Sequence, residues 1–297
     1  MPDGELRATL RDFPASLDSV PTTGRAGDRA RRVEVIGPRE LGNDELGLLA
    51  DELWTARCER RLLDISELVG RRGGDWSMGD AYLVQEILMQ RRRDRGERHV
   101  GWKLGYTSLA MREQMGIVEP NFGPLTDAMI LGNGDAVPPT VTQPRVEPEI
   151  AVRLALDLGP APSPADIAAS VDTASACLEV VDSVWAGYRF RIEHNTADGS
   201  SAAYVVLGGA IATDNLSTVR VRLRRNDDDV AVVTGAAASG DPLIGVAWLA
   251  RQLASTGRRL RAGEIIITGG LTAAVPLDEG DCVEAIFDRD VLVSCRR

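Results

Sequence analysis

One alternating segment constrains this chain more than any other feature of its sequence. Between residues 146 and 154 apolar residues alternate with polar ones, and two of the polar residues are Glu147 and Glu149. This alternation predicts a β-strand with one buried face, because side chains two residues apart point to the same side of a strand. The two carboxylates therefore lie side by side, where each raises the pKa of the other unless a cation joins them.

Two interpretations of this acidic pair stay open at the level of the residues. The pair is either a solvated polar strand face or part of a site for a hard divalent cation such as Mg²⁺. Glu179 supplies a third carboxylate from the apolar segment 176–184, where a charge is costly unless it is paired or binds metal. Asp182 competes with Glu179 for that role, although a regular strand would turn it to the opposite side.

The composition limits which classes of protein are possible. The chain has 297 residues, 44% of them hydrophobic and 26% charged, as is typical of one large or two small globular domains. The net charge of -10 argues against nucleic-acid binding. No apolar run reaches membrane-spanning length, and the residues at the N-terminus do not predict a signal peptide. The four cysteines lack paired short spacings, which predicts reduced thiols in a cytoplasmic protein.

The chain divides into three regions. Residues 1–42 are predicted to form a poorly ordered extension. Residues 43–98 are predicted to form a small helical part, with helices capped by Asn43 and by Ser77. Residues 99–297 predict short strands and turns, interrupted by one helix that Asp241 caps. The strand candidates are 100–105, 146–156, 178–184, 203–207, 219–225, 230–234, 264–268, 282–287 and 291–295.

Several other polar residues are candidates for chemistry. Lys103 lies inside a predicted strand, where it either reaches the surface or neutralises a substrate carboxylate and donates a proton. The polar segment 195–202 is either a plain turn or an anion or carbonyl pocket. Asp127 is either a turn residue or a base. The two histidines, His99 and His194, suggest no catalytic triad, and the glycines form no nucleotide-binding motif.

A series of motifs, taken together and in order, resembles a known family. They cover nearly the whole chain from about residue 43, and the resemblance is to the 2-keto-4-pentenoate hydratase and 2-oxohex-3-enedioate (4-oxalocrotonate) decarboxylase family of the fumarylacetoacetate hydrolase superfamily. The motifs are Gly101-Trp102-Lys103-Leu104-Gly105, Phe122-Gly123, Pro144-Arg145-Val146-Glu147-Pro148-Glu149, Leu178-Glu179-Val180-Val181-Asp182, Ala197-Asp198 with Ser200-Ser201, Gly240-Asp241-Pro242-Leu243, and Gly269-Gly270-Leu271-Thr272.

This resemblance implies a fold and a set of site residues. The fold is α+β, a mixed β-roll or barrel with a small helical N-terminal part. The implied ligands of Mg²⁺ or Mn²⁺ are Glu147, Glu149 and Glu179, and the implied catalytic residues are Lys103 and Asp127. The implied substrate contacts are Leu104, Arg145, Asp198, Ser200 and Ser201. Gly199 departs from the family, which usually has Asn there, so the contacts to the far end of the substrate are open.

The function that the resemblance implies is that of a metal-dependent lyase acting on a linear, unsaturated 2-oxo acid. Decarboxylation of a 2-oxohex-3-enedioate-like diacid is preferred, and hydration of 2-hydroxypenta-2,4-dienoate is the alternative. A carbon–carbon bond hydrolase and a non-catalytic partner subunit are lower-ranked alternatives. The expected partners are the small-molecule substrate, further copies in a homo-oligomer and a paired hydratase or decarboxylase, with no nucleic acid and no membrane.

Overall fold

The computed structural model describes residues 41–72, 76–109, 112–113 and 116–297. Helices come first in this part of the chain, and strands with shorter connecting helices follow. Nearly all of the extension predicted for residues 1–42 lies outside the described residues, and the predicted division at residue 98 stays a prediction. The helices are α1 (Asn43–Cys58), α2 (Ile65–Arg72), α3 (Met78–Asp94), α4 (Pro164–Ser170), α5 (Ile192–Ala197) and α6 (Pro242–Ser255).

The strands form two sheets, and the larger sheet is mixed. Its order is β2-β1-β9-β4-β5-β6-β3, with β10 added beside β4, and the smaller sheet has the order β12-β11-β7-β8. The larger sheet forms a half-barrel, which confirms the predicted α+β fold class. The strands are β1 (His99–Gly105), β2 (Asn121–Thr126), β3 (Ile130–Gly132), β4 (Arg145–Leu154), β5 (Val171–Val181), β6 (Ala202–Ile211), β7 (Arg220–Arg225), β8 (Asp228–Thr234), β9 (Ile265–Ile267), β10 (Val275–Pro276), β11 (Cys282–Phe287) and β12 (Val291–Arg296).

Local sequence determines where the longer helices begin. The Asp80 N–H donates to Ser77 Oγ (3.1 Å) and the Ser77 N–H donates to Asp80 Oδ2 (3.1 Å), which confirms the reciprocal cap predicted for α3. The Leu243 N–H donates to Asp241 Oδ1 (2.8 Å), as predicted for the start of α6. These contacts join residues only two or three apart in sequence, so they do not depend on tertiary packing.

Apolar cores lie on both faces of the larger sheet. The main core packs α1, α3 and α6 against one face. A smaller cluster on the other face includes Ala151, Cys177 and Ile267, from three adjacent strands. Glu149 lies two residues before Ala151, and Glu179 lies two residues after Cys177, so these acids share the face of the small cluster. The acidic residues therefore project from the same face of the sheet as the small apolar cluster and lie next to it.

The structure corrects some of the predicted elements. The first helix is capped by Gly42 rather than by Asn43. Strand β2 was not predicted because it contains Gly and Pro124, which an edge strand tolerates. Part of the predicted polar turn from Asn195 is the end of helix α5.

None of the described helices combines the length and the apolar character that crossing a bilayer requires.

Candidate metal centre

Three buried glutamates meet on the face of the larger sheet that carries the small apolar cluster. Glu147 and Glu149 project from β4, and Glu179 on β5 lies directly opposite Glu147 in the antiparallel register. One carboxylate oxygen from each residue lies within 4.8 Å of the other two. Glu149 and Glu179 are fully buried and Glu147 is half-buried, so the interpretation as a solvated strand face is wrong.

Lys103 approaches the same cluster from β1. It pairs with Ile267 of β9, which pairs with Ala151 of β4, so the register places all three on one face. Lys103 Nζ lies 3.1 Å from Glu179 Oε2 and donates a hydrogen bond to the Ser200 carbonyl (2.8 Å). With only 3% of its surface exposed, Lys103 does not reach solvent, so that alternative for it is wrong.

The pKa values of the four charged groups reflect this crowding. Burial, followed by the charge of Glu179, raises the pKa of Glu147 to about 8. Burial and the two neighbouring carboxylates raise the pKa of Glu149 well above its usual value. Burial also raises the pKa of Glu179, against the opposing effect of Lys103. For Lys103, burial lowers the pKa, but the three carboxylates outweigh it and the pKa rises. A cation at this cluster therefore competes with protons for the carboxylates.

Unpartnered oxygens show that these residues fit a divalent cation. The Gly269 N–H donates to Glu149 Oε2 (2.7 Å). Within the described chain, Glu149 Oε1 and Glu179 Oε1 are buried and accept no hydrogen bond. Glu147 Oε2 lies against Gly270, where a Cβ atom would collide with it. Buried oxygens without donors are costly, and a hard cation removes both that cost and the repulsion between the carboxylates.

A cavity of about 280 Å³ opens beside Glu147 and Lys103. Leu104 contributes its backbone to the wall, since its side chain packs in the main core. The Arg145 guanidinium stacks 4.6 Å from the centre of the Tyr188 ring, and no described carboxylate forms an ion pair with it. The predicted substrate contacts that line this cavity are Leu104, Arg145, Ser200 and Ser201.

The structure corrects the predicted role of Asp198, whose side chain was expected to contact substrate. Its carboxylate accepts a hydrogen bond from Arg57 Nη2 (2.6 Å) on one oxygen and from the Val184 N–H (3.0 Å) on the other. The side chain thus points away from the cavity, toward the end of α1. Asp198 instead anchors the turn that carries Ser200 and Ser201, whose backbones are left-handed (φ 58° and 57°).

The structure also corrects the predicted catalytic role of Asp127. It follows the end of β2 and pairs with Arg98 (2.9 Å) while its side chain is 33% exposed. The strand register places Gly123 opposite Lys103. Asp127 is four residues further along, or about 13 Å by strand rise, so the structure does not bring it to the carboxylates.

Sequence reasoning missed several polar residues around the cavity. Asn121 is fully buried, accepts a hydrogen bond from Ser200 Oγ (2.9 Å) and donates one to Asn195 Oδ1 (3.0 Å). Thr107 lines the cavity, and its buried hydroxyl oxygen has no hydrogen-bond partner among the described residues. Both residues lie within two positions of motifs of the resemblance, which was the available signal. Neither motif indicates that Thr107 lines the cavity or that Asn121 supports Ser200 there.

Comparisons with known proteins agree with this geometry. The family model described as fumarylacetoacetate hydrolase C-terminal matches residues 105–293. A 2-keto-4-pentenoate hydratase of Paraburkholderia xenovorans is 38% identical over 215 residues, which cover 71% of this chain and 80% of that protein. A 4-oxalocrotonate decarboxylase of Pseudomonas putida is 33% identical over 263 residues, which cover 87% of this chain and 98% of that protein.

Solved structures give the same picture. The 4-oxalocrotonate decarboxylase from Pseudomonas putida G7, complexed with magnesium and adipate, superposes with a TM-score of 0.80 at 31% identity. That match covers 86% of this chain and 98% of the other. A fumarylpyruvate hydrolase from Pseudomonas aeruginosa, in complex with Mn²⁺ and pyruvate, shares the fold alone, with a TM-score of 0.55 at 14% identity over 67% of this chain and 88% of that one.

Proposed function

The chain belongs to the fumarylacetoacetate hydrolase family, and from that premise we propose that it is a divalent-metal-dependent lyase of linear, unsaturated 2-oxo acids. The observation that carries this proposal is the buried cluster of Glu147, Glu149 and Glu179 with Lys103 beside the cavity. A dense group of acids with unpartnered oxygens at the edge of a cavity is typical of a functional site rather than of a structural ion pair.

The metal in this proposal is Mg²⁺ or Mn²⁺. Glu147, Glu149 and Glu179 are its proposed ligands, since hard cations prefer carboxylate oxygens. When bound, the cation supplies Lewis-acid stabilisation of the negative charge that develops on a 2-oxo acid during reaction.

Side chains of the cavity wall orient the substrate and limit water around it. Lys103 has three N–H bonds, one of which donates to the Ser200 carbonyl, while the ammonium forms an ion pair with Glu179 Oε2 (3.1 Å). Its remaining donor capacity is available to a substrate oxygen. The unpartnered hydroxyl of Thr107 offers a further donor at the same wall. The aromatic side chain of Phe190 supplies apolar surface for a conjugated carbon chain.

Decarboxylation is the preferred reaction. In a 2-oxohex-3-enedioate the bond between C5 and C6 breaks and CO₂ leaves. The electron pair then moves along the conjugated chain to the 2-oxo oxygen, which takes up a proton. Arg145 favours a diacid substrate, since it is a cation at the cavity wall without an ion-pair partner among the described residues. The match to decarboxylases over nearly their full length supports the same choice.

Hydration of 2-hydroxypenta-2,4-dienoate is the second candidate function. It is favoured by the 38% identity to hydratase relatives, and it uses the same 2-oxo acid chemistry. In that reaction a proton is added to the dienol and water adds to the resulting conjugated double bond, so no carbon is lost.

The hydrolase and inactive-subunit alternatives have less support. His99 Nε2 lies 2.9 Å from Glu264 Oε1, but this pair lies at the start of β1, about 13 Å by strand rise from Lys103. It therefore does not activate water at the carboxylates. An inactive subunit has no physical reason to keep three buried like charges together.

An ultraviolet assay with each of the two substrates, with and without Mn²⁺, tests the proposal. Metal-dependent loss of CO₂ from 2-oxohex-3-enedioate, with the product identified by mass, supports decarboxylation. Water addition to 2-hydroxypenta-2,4-dienoate without CO₂ supports hydration. The matched control is Glu179→Gln, which keeps the side-chain shape and is expected to be inactive. Inactivity of the wild-type protein on both substrates, despite bound metal, would overturn the proposed substrate class.

Assembly into a homo-oligomer is a further part of the proposal. The exposed Val230 and Val232 on β8, an edge strand of the smaller sheet, support it. Light scattering after size-exclusion chromatography tests it, and a monomer at micromolar concentration would contradict it. Association with a paired hydratase or decarboxylase stays a prediction.

A further inference from the structure

Tyr106, which directly follows β1, has an unusual backbone conformation. Its φ angle is 56°, in the left-handed region that bulky side chains rarely adopt. Strained residues of this kind persist only where surrounding contacts enforce them, and they concentrate at functional sites. Tyr106 lies three residues beyond Lys103 and lines the same cavity. The strain therefore occurs beside the proposed chemistry.

The surrounding contacts hold this conformation in place. Arg112 Nη1 donates a hydrogen bond to the Tyr106 carbonyl (2.9 Å), and Ser239 Oγ donates one to the carbonyl of Thr107 (3.1 Å). The Thr107 side chain packs so closely on Gly269 that a Cβ atom there would collide with it. Three separate parts of the chain thus fix the segment that presents the Tyr106 ring.

A second left-handed tyrosine at the cavity provides an internal comparison. Tyr188 has φ 58°, but its hydroxyl donates to the carbonyls of Gln143 (3.1 Å) and Val181 (3.0 Å), so it serves the architecture. The hydroxyl of Tyr106 has no hydrogen-bond partner among the described residues. A tyrosine held in a left-handed backbone conformation at a cavity wall, whose hydroxyl contacts no other described residue, is positioned for a ligand.

We infer that Tyr106 is a catalytic residue of the proposed lyase, and that its phenolic O–H donates a hydrogen bond to the 2-oxo oxygen of the substrate. This inference rests on the proposed function. The 2-oxo oxygen gains negative charge as electrons move along the conjugated chain, and a hydrogen bond to a charged acceptor is stronger than one to a neutral carbonyl. The bond therefore strengthens in the transition state and contributes to the rate rather than to ground-state binding.

The variant Tyr106→Phe tests the inference, because it keeps the ring, the backbone strain and the packing and removes only the hydroxyl. For the Mg²⁺-loaded variant we expect kcat to fall about 10- to 100-fold, while KM changes less than about threefold. The matched control is Tyr204→Phe, whose hydroxyl lies 2.9 Å from Thr140 Oγ1 outside this cavity. Its kcat is expected to stay at the wild-type value. An unchanged kcat for Tyr106→Phe, or a higher KM with the same kcat, would overturn the inference.

Calorimetry with two small acids separates this inference from the proposed function. Oxalate, a planar dianion, resembles the charged enolate of a 2-oxo acid, whereas pyruvate resembles the uncharged ketone. With Mg²⁺ present, we expect Tyr106→Phe to bind oxalate about tenfold more weakly and pyruvate nearly as well as the wild type does. Equal loss for both acids, or for neither, would overturn the role of Tyr106. Failure of the wild-type protein to turn over either assay substrate would instead count against the proposed function.

Discussion

Two groups of carboxylates in this protein differ in their hydrogen-bond partners. One group is the pair of aspartates Asp182 and Asp198, and the other is the cluster of Glu147, Glu149 and Glu179. The backbone N–H groups of Thr142 and Gln143 donate to Asp182 (2.8–3.1 Å), while Arg57 and the N–H of Val184 donate to Asp198. Both aspartates are thus satisfied by the protein itself.

Glu149 and Glu179 of the glutamate cluster are equally buried but lack such partners. Glu149 accepts one backbone N–H, and Glu179 forms an ion pair with Lys103. Glu149 Oε1 and both oxygens of Glu179 accept no hydrogen bond from the described residues. Burial by itself therefore does not identify a site. Clustered acids without partners are more informative, because burying several carboxylates together without donors is costly unless a ligand offsets that cost. The competing assignment of Asp182 as a metal ligand fails by this criterion.

The largest effect should come from exchanging an unsatisfied acid for its amide. Glu149→Gln is expected to weaken Mn²⁺ binding by more than about 100-fold, since losing a ligand costs more than losing a residue that only supports one. Activity should fall with it. The matched variant Asp182→Asn should keep Mn²⁺ affinity within about threefold and lose roughly 1–3 kcal/mol of stability. Calorimetric titration measures the Mn²⁺ affinity of each variant, and urea unfolding measures its stability. Wild-type Mn²⁺ affinity in Glu149→Gln would disprove the proposed ligand set.

Substitutions at the aspartates whose hydrogen bonds are satisfied should change the stability of the protein rather than its affinity for metal. Arg57→Met leaves Asp198 buried and unpaired, and we expect a loss of about 2 kcal/mol in the free energy of unfolding, reduced from a fully buried pair because Arg57 is 24% exposed. Adding Asp198→Asn should recover part of that loss. Urea unfolding of the metal-free proteins gives the coupling energy of the cycle. Additive effects of the two changes would show that the pair does not stabilise the fold.

The pH dependence of metal binding sharpens the same contrast. Burial, followed by Glu179, raises the pKa of Glu147 to about 8, so at pH 7 this carboxyl group holds a proton that the cation must displace. Apparent Mn²⁺ affinity should therefore rise with pH, by about tenfold per unit for each proton released, and level off above pH 8. Titrations in buffers of different ionisation enthalpy count the protons, and a flat profile between pH 6.5 and 8 would contradict the raised pKa.

The metal-free protein should show the opposite trend in stability. A carboxyl group whose pKa is higher in the folded protein than in the unfolded chain binds more protons when folded. Stability from Glu147 is therefore present below about pH 4.5 and is lost as the pH rises toward about 8. Thermal unfolding with and without Mn²⁺ across this range should show the cation restoring that loss.

The smallest effect is expected at Asp127. Because its carboxylate is partly exposed and pairs only with Arg98 and nearby backbone N–H groups, Asp127→Asn should leave the urea midpoint of unfolding close to that of the wild type. Activity should stay within about twofold of the wild type. A large loss of activity would restore the catalytic role predicted from the sequence, and would require this end of β2 to reach an active site.

Local patterns were enough to predict much of the fold. The caps at Ser77 and Asp241 depend on residues two or three apart, and the alternation in β4 places Glu147 and Glu149 on one face without reference to any other strand. Patterns failed where tertiary context dominated. Gly and Pro in β2 argue against a strand, yet that strand forms because it lies at the edge of the sheet, where Pro is tolerated.

The sequence by itself determined that two acids stand side by side on one strand, because side-chain direction follows the two-residue period of a strand. It placed Lys103 inside another strand but left open whether that side chain is buried, which the tertiary structure decided. Only the tertiary structure decided which groups meet. The register of β4 with β5 places Glu179 opposite Glu147, and β9 brings Lys103 to the same face. Packing of distant parts of the chain likewise placed Arg57 of α1 beside Asp198, and the pairing of β1 with β2 left Asp127 beyond the far end of β2. No local pattern encodes which elements become neighbours.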